Sequence, residues 1–101
     1  MASTPEGKVK TAIKKYLKSL PNTWFYMPVQ NGMGVIGIPD IIACIDGKFL
    51  AIETKAPGKE KTVTANQQMQ IDGILAANGH ALVTSSVEHL VLYLKLLKVV
   101  K

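Results

Sequence analysis

The dipeptide Asp46-Gly47 lies between two apolar runs, 41–45 and 49–52, and it constrains this chain more than any other feature. A two-residue Asp-Gly loop in that setting predicts a β-hairpin with a type I′ turn, because both central residues of such a turn need positive φ. Loop length then sets the register. Ile45 faces Lys48, Cys44 faces Phe49, Ile42 faces Ala51, and Asp40 faces Glu53. Opposed side chains in an antiparallel pair lie about 4.5–5.5 Å apart at Cβ, so two like charges there repel unless something compensates them, as a divalent cation would. Lys55, two residues past Glu53, returns to the same face by strand alternation. The hairpin therefore offers two acids and one amine at one spot. A three-residue loop would shift the register by one and send one acid to the other face, so the inference depends on the turn.

The acids draw notice because the chain around them is basic. Twelve lysines and no arginine face seven acidic residues, for a net charge of +5, which suggests an anionic partner. Lysine without arginine favours contact with a phosphate backbone over bidentate reading of bases. At 101 residues and 48% hydrophobic composition, the chain suits one domain, 1–101, with a real core, and is too short for two. One cysteine allows no internal disulfide. No stretch resembles a signal peptide or a membrane span, so the expectation is a soluble cytoplasmic protein without a membrane partner.

Along the chain, residues 1–4 read as a frayed start, with Thr4 as N-cap and Pro5 and Glu6 opening a helix. Val9, Ala12, Ile13, Tyr16, Leu17 and Leu20 form its apolar stripe. Lys8, Lys10, Lys14, Lys15 and Lys18 fill the rest, either as a solvated face or as a phosphate-binding one. Glu6 belongs to the inward stripe and reads equally as a first-turn acid on the helix dipole or as a site carboxylate. Residues 24–29 make an aromatic-rich strand whose Pro28 argues for an edge position or an early end. The loop 30–37 carries three glycines and is a connection with a candidate DNA contact at Asn31; it lacks the third spaced glycine of a dinucleotide fingerprint. A basic loop with Lys59 and Lys61 follows the hairpin.

Thr64 is the expected N-cap of a second helix with Ile71, Ile74, Leu75 and Asn78 on its inner stripe, closed by Asn78-Gly79. Gln67 lies four before Ile71 on that face, yet Thr64-Ala-Asn-Gln67 also matches a capping box, in which the glutamine serves only the helix terminus. A short apolar strand spans 80–84. The last segment, 86–101, reads as a helix with more apolar residues than one core needs. Val87, Leu90, Val91, Leu94 and Leu97 would cover the sheet, while Leu92, Leu96, Val99 and Val100 lie off that stripe. Those four either over-cover the core or meet a partner chain, with the partner chain the better explanation.

Clustered carboxylates among lysines suit a hard metal ion meeting a polyanion. Mg2+ or Mn2+ takes oxygen ligands, whereas zinc would want His or Cys that this chain does not cluster. Such an ion polarises a phosphoryl oxygen and lowers the pKa of bound water. Lys55 would orient or deprotonate that water, or neutralise the transition state. Cys44 is expected mid-strand, buried and inert, so no nucleophilic route competes.

Gly37-Ile-Pro-Asp40, then Ile52-Glu-Thr-Lys55, then Thr64-Ala-Asn-Gln67 and Gly79 resemble the VRR-NUC family of the PD-(D/E)xK nuclease superfamily. The similarity runs from Glu6 to about Ser86. It implies an α/β fold with a PD-(D/E)xK, restriction-endonuclease-like core, α-β-β-β-α-β, here followed by a C-terminal helix. It implies Mg2+- or Mn2+-dependent cleavage of DNA phosphodiesters in replication and repair. Small stand-alone members, often phage-encoded and so acting in the host cytoplasm, resemble homodimers that act on branched DNA such as four-way junctions. Residue by residue, the resemblance makes Asp40 and Glu53 metal ligands, with the backbone carbonyl of Thr54 as a further one. Lys55 becomes the catalytic lysine, Gln67 or the adjacent Gln68 the helix glutamine, and Glu6 the acid of the first helix. Lys8, Lys14, Lys15, Asn31, Lys59 and Lys61 are the candidate nucleic-acid contacts. The competing readings are a non-catalytic DNA-binding module of the same fold and a small interaction protein that docks through its C-terminal helix.

Overall fold

Residues 4–29 and 34–101 are described by a computed structural model. Asn31, the candidate contact in the glycine-rich loop, falls outside the described residues, as does most of the predicted frayed start.

Helix α1 spans Pro5–Ser19, and its ends follow from local chemistry. The Gly7 amide donates to the Thr4 hydroxyl at 3.0 Å, and Pro5 fills a position whose amide would have no intrahelical partner. Glu6 in the first turn and Lys18 in the last complement the helix dipole. Val9, Ile13 and Leu17 are buried, whereas Ala12 is exposed and Tyr16 and Leu20 are half-buried, so the inner stripe is narrower than the apolar pattern suggests. Asn22, at φ 52°, turns the chain into strand β1, Thr23–Tyr26. β1 is an edge strand and stops two residues before Pro28, which has no amide to give a ladder.

Strands β2, Ile41–Ile45, and β3, Lys48–Thr54, form the predicted hairpin. Asp46 and Gly47 have φ of 49° and 84°, both positive as a type I′ turn requires, and the register runs from Ile45↔Lys48 to Ile41↔Ile52. Helix α2, Ala65–Ala76, leads to β4, His80–Thr84, which pairs parallel to β3. The sheet is mixed and four-stranded, in the order β1-β2-β3-β4. With α3, Val87–Leu96, the element order is the one the sequence predicts, in an α/β arrangement of one sheet and three helices.

The two faces of the sheet are covered unequally. Ile41, Ala43, Ile45, Leu50, Ile52 and Leu82 pack with α1 and with Leu90 and Leu94 of α3 into one buried cluster. On α2, Ile71 is buried apart from that cluster, Ile74 is half-buried and Leu75 is exposed. Asn78 is not on an inner stripe: at φ 66° it is the left-handed residue that closes the helix. α2 packs against β4 and leaves the opposite end of its sheet face open. Cys44 is accordingly exposed rather than buried, as are its register partners Trp24 and Phe49. An apolar strand sequence does not reveal which of its faces a helix will cover.

The C-terminal helix is shorter than the expected 86–101. It ends at Leu96, Lys98 takes φ 61°, and the Val99 amide donates back to the Leu94 carbonyl at 3.1 Å. That reversal packs Val99 and Val100 against the core, which removes them from the apolar surplus. Leu92 and Leu96, one turn apart, remain 60% and 80% exposed. Among the described residues no helix is long and apolar enough to cross a membrane.

Candidate active site

The ladder between β2 and β3 ends at Ile41↔Ile52, one pair short of the Asp40–Glu53 pair that the register anticipates. Pro39, fully buried and without an amide, precedes that point, and the Asp40 side chain takes over from the backbone. Its Oδ2 accepts from the Thr54 amide at 2.9 Å and from the Thr54 hydroxyl at 2.7 Å. Thr54, whose carbonyl the family resemblance makes a ligand, is fully buried and so holds Asp40 from a rigid strand.

Asp40 and Glu53 still meet. Glu53 is 3% exposed, and burial pushes its carboxyl up to about 7, with the Asp40 charge adding to the effect. Lys55 opposes the rise, while Glu6 and a carboxyl–carboxyl hydrogen bond with Asp40 add to it. In the metal-free protein, Glu53 therefore takes up a proton more readily than an ordinary carboxylate.

Lys55 follows on the same face, buried, with its ammonium 3.7 Å from Glu53 Oε2. Its shorter contact is to Gln67 Oε1 at 3.1 Å, with the Thr62 carbonyl at 3.4 Å. Gln67 performs both of the roles its sequence position suggests. Its Oε1 accepts from the Thr64 backbone N–H at 3.0 Å while the Gln67 backbone N–H donates to the Thr64 hydroxyl at 3.1 Å, which completes the capping box. Its Nε2 meanwhile donates to Glu53 Oε2 at 3.0 Å. Gln68 points elsewhere and donates to Asp72 at 2.8 Å, so of the two glutamines only Gln67 joins the carboxylates.

Glu6, from the first turn of α1, lines a cleft of about 430 Å³ together with Asp40, Glu53, Asn66 and Gln67. It thus serves the helix terminus and the cleft at once. Gly37 brings the wall of this cleft together: at φ +84° it presses on the first turn of α2, where an added Cβ would lie 2.5 Å from the Asn66 carbonyl carbon. A wider groove of about 660 Å³ lies between the hairpin turn and α2, lined by Phe49, Gly73, Asn78 and His80, and none of the five candidate catalytic residues reaches it.

Lys8, Lys14 and Lys15 are exposed on α1, and Lys59 and Lys61 are exposed on the loop after β3. The sequence reading missed Lys10 as a site residue. Its ammonium lies 3.5 Å from Asp40 Oδ1, and its side chain is 34% exposed. Nothing in the local pattern distinguishes it from the other lysines of α1, because its position depends on how that helix crosses the hairpin.

The donors available to a metal ion here are hard carboxylate oxygens, without a histidine or cysteine among them, which suits Mg2+ or Mn2+ and not zinc. Among the described residues no three His, Cys, Asp or Glu side chains gather as a closed cage for a metal ion. Mg2+ does not need one, since it is commonly held by one or two carboxylates and completes its octahedron with water and substrate phosphate. No family model, curated protein or solved structure matches the chain, so the chemistry of the site rests on its own geometry.

Proposed function

We propose that this protein is a divalent-metal-dependent DNA endonuclease with a PD-(D/E)xK core, similar to the VRR-NUC family, that hydrolyses phosphodiester bonds in branched DNA. The observation that carries this reading is the convergence of Asp40, Glu53, Lys55, Gln67 and Glu6 from one hairpin and two helices in an otherwise lysine-rich chain. Structural ion pairs do not need two carboxyls in mutual repulsion, one of them raised to about 7.

Asp40 and Glu53 would hold Mg2+ or Mn2+, with the Thr54 carbonyl as a further ligand. Bound there, the ion supplies a lowered pKa for its water and charge neutralisation at the phosphoryl oxygens. The chain's own contributions are distinct. Thr54 fixes the orientation of Asp40, and the Gln67 side chain contacts both Glu53 and Lys55. Lys55, tethered by Gln67, offers an ammonium beside Glu53 that can orient the attacking water or offset charge developing on in-line attack. Lys8, Lys14, Lys15, Lys59 and Lys61 would meet the DNA backbone through phosphates. Exposed Leu92 and Leu96 support a two-fold dimer, which would set two sites at a fixed spacing on a four-way junction.

The test is cleavage of labelled linear, flapped and four-way DNA with Mg2+, Mn2+ or EDTA. Metal-dependent incision that vanishes in Asp40→Asn and Glu53→Gln, with the folds intact, is expected. Tight DNA binding without incision in any metal would leave a non-catalytic binding module.

A further inference from the structure

The two oxygens of Asp40 are used differently. Oδ2 already accepts two hydrogen bonds from Thr54, so it is committed to holding the side chain in place. Oδ1 is the oxygen that Thr54 does not engage, and it is the one beside the Lys10 ammonium at 3.5 Å. The site's other ammonium is not equivalent. Lys55 is buried and tied to Gln67 and to the Thr62 carbonyl, whereas Lys10 reaches Asp40 from a partly exposed side chain on α1.

We infer that Lys10 is an exchangeable counter-ion: it neutralises Asp40 Oδ1 in the metal-free protein, leaves when a divalent cation takes that oxygen, and then binds a DNA phosphate. This rests on the metal-dependent nuclease reading and assigns a lysine that the resemblance does not. Two consequences follow from charge alone. Lys10 competes with the cation, so removing its charge strengthens metal binding in the absence of DNA. Metal binding also frees Lys10 for phosphate, so metal and DNA each improve the other's affinity, and by linkage they do so by the same factor. Lys10 lies on the same helix as Glu6, one turn further along, so a released ammonium stays at the mouth of the cleft.

The experiment compares the unmodified protein with Lys10→Met and Lys10→Gln, two neutral variants at a partly exposed helix position, and with Lys95→Met, which makes the same charge change on α3. Circular dichroism checks that each is folded. Mn2+ binding is measured by calorimetry without DNA. Both Lys10 variants are expected to bind Mn2+ about two- to fivefold more tightly, the range of a partly screened pair, and Lys95→Met as the unmodified protein does. DNA binding is then measured against salt, with Ca2+ or with EDTA. With Ca2+, the log–log slope of the Lys10 variants should be shallower by about 0.9, the worth of one duplex phosphate contact, and with EDTA it should match the unmodified protein.

Unmodified protein that binds Mn2+, with Lys10 variants that bind it equally or more weakly, overturns the counter-ion role and leaves the nuclease reading standing. Equal slopes in Ca2+ overturn the transfer to phosphate. Unmodified protein that binds no Mn2+ at millimolar concentration overturns both readings.

Discussion

The Thr54 amide and hydroxyl both donate to a single oxygen of Asp40, at 2.9 and 2.7 Å. Hydrogen bonds to a charged group are worth roughly 1.5–3 kcal/mol each, more than those between neutral groups. Thr54→Val keeps the amide and nearly the same volume but loses the hydroxyl. It should lower stability by about 1–3 kcal/mol, because one donor to a carboxylate is lost, and reduce cleavage at least tenfold, while Thr54→Ser restores most of both. Urea unfolding in EDTA and single-turnover cleavage measure the two effects. Undiminished cleavage by Thr54→Val would show that Asp40 needs no such support.

Glu53 gives the metal-free protein a defined pH response. Its carboxyl is raised from 4.5 to about 7 in the folded state, so protonation favours folding. The stabilisation is complete below the unfolded value and is lost as pH rises through the folded one, by on the order of 3 kcal/mol at 1.36 kcal/mol per unit. Unfolding in EDTA between about pH 5 and pH 8 should therefore show falling stability with rising pH, and Glu53→Gln should flatten that slope. With Mn2+ present the trend should reverse, because the ion needs the carboxylate. Identical slopes in the two proteins would place the titration elsewhere.

Gln67 and Gln68 are adjacent and should differ sharply on substitution. Gln67→Ala removes a capping partner together with the contacts to Glu53 and Lys55, and should cost about 1–3 kcal/mol and most of the activity. Gln68→Ala removes one exposed contact to Asp72, worth less than about 0.5 kcal/mol. Parallel melting and cleavage measurements decide it. Similar losses at both positions would contradict the division of roles.

Leu92 and Leu96 bear on assembly. A two-fold interface uses the same patch on both subunits, so Leu96→Glu would bring two charges to it. It should give a folded monomer that has lost paired incision of four-way junctions but still nicks weakly. Sedimentation at micromolar concentration tests the premise: unmodified protein that runs as a monomer of 10.9 kDa would remove the dimer from the reading.

The legible parts of this fold are those fixed by short-range chemistry. Asp46-Gly47 determines a turn, the turn determines a register, and the register brings Asp40, Glu53 and Lys55 to one end of the hairpin. Thr4 and Thr64 announce helices for the same reason. What was missed depends on distant packing. Whether Cys44 is covered depends on where α2 lies, and whether Lys10 reaches Asp40 depends on the path of α1. The early end of α3 escaped because its left-handed residue is Lys98, where glycine or asparagine would have announced the turn.

Gln67 ties two kinds of selection together. Its single amide caps α2 and also holds Glu53 and Lys55, so a change at this position cannot silence the chemistry while leaving the scaffold untouched. In many enzymes a catalytic residue drifts without penalty once its activity is dispensable. Here a lineage that no longer needed the reaction would still be held to a glutamine, or to the glutamate that caps nearly as well, by the demand that the helix begin where it does. The glutamate would set a third carboxyl against Glu53, so its appearance at position 67 would mark a chain in which folding is still under selection and the original chemistry is not.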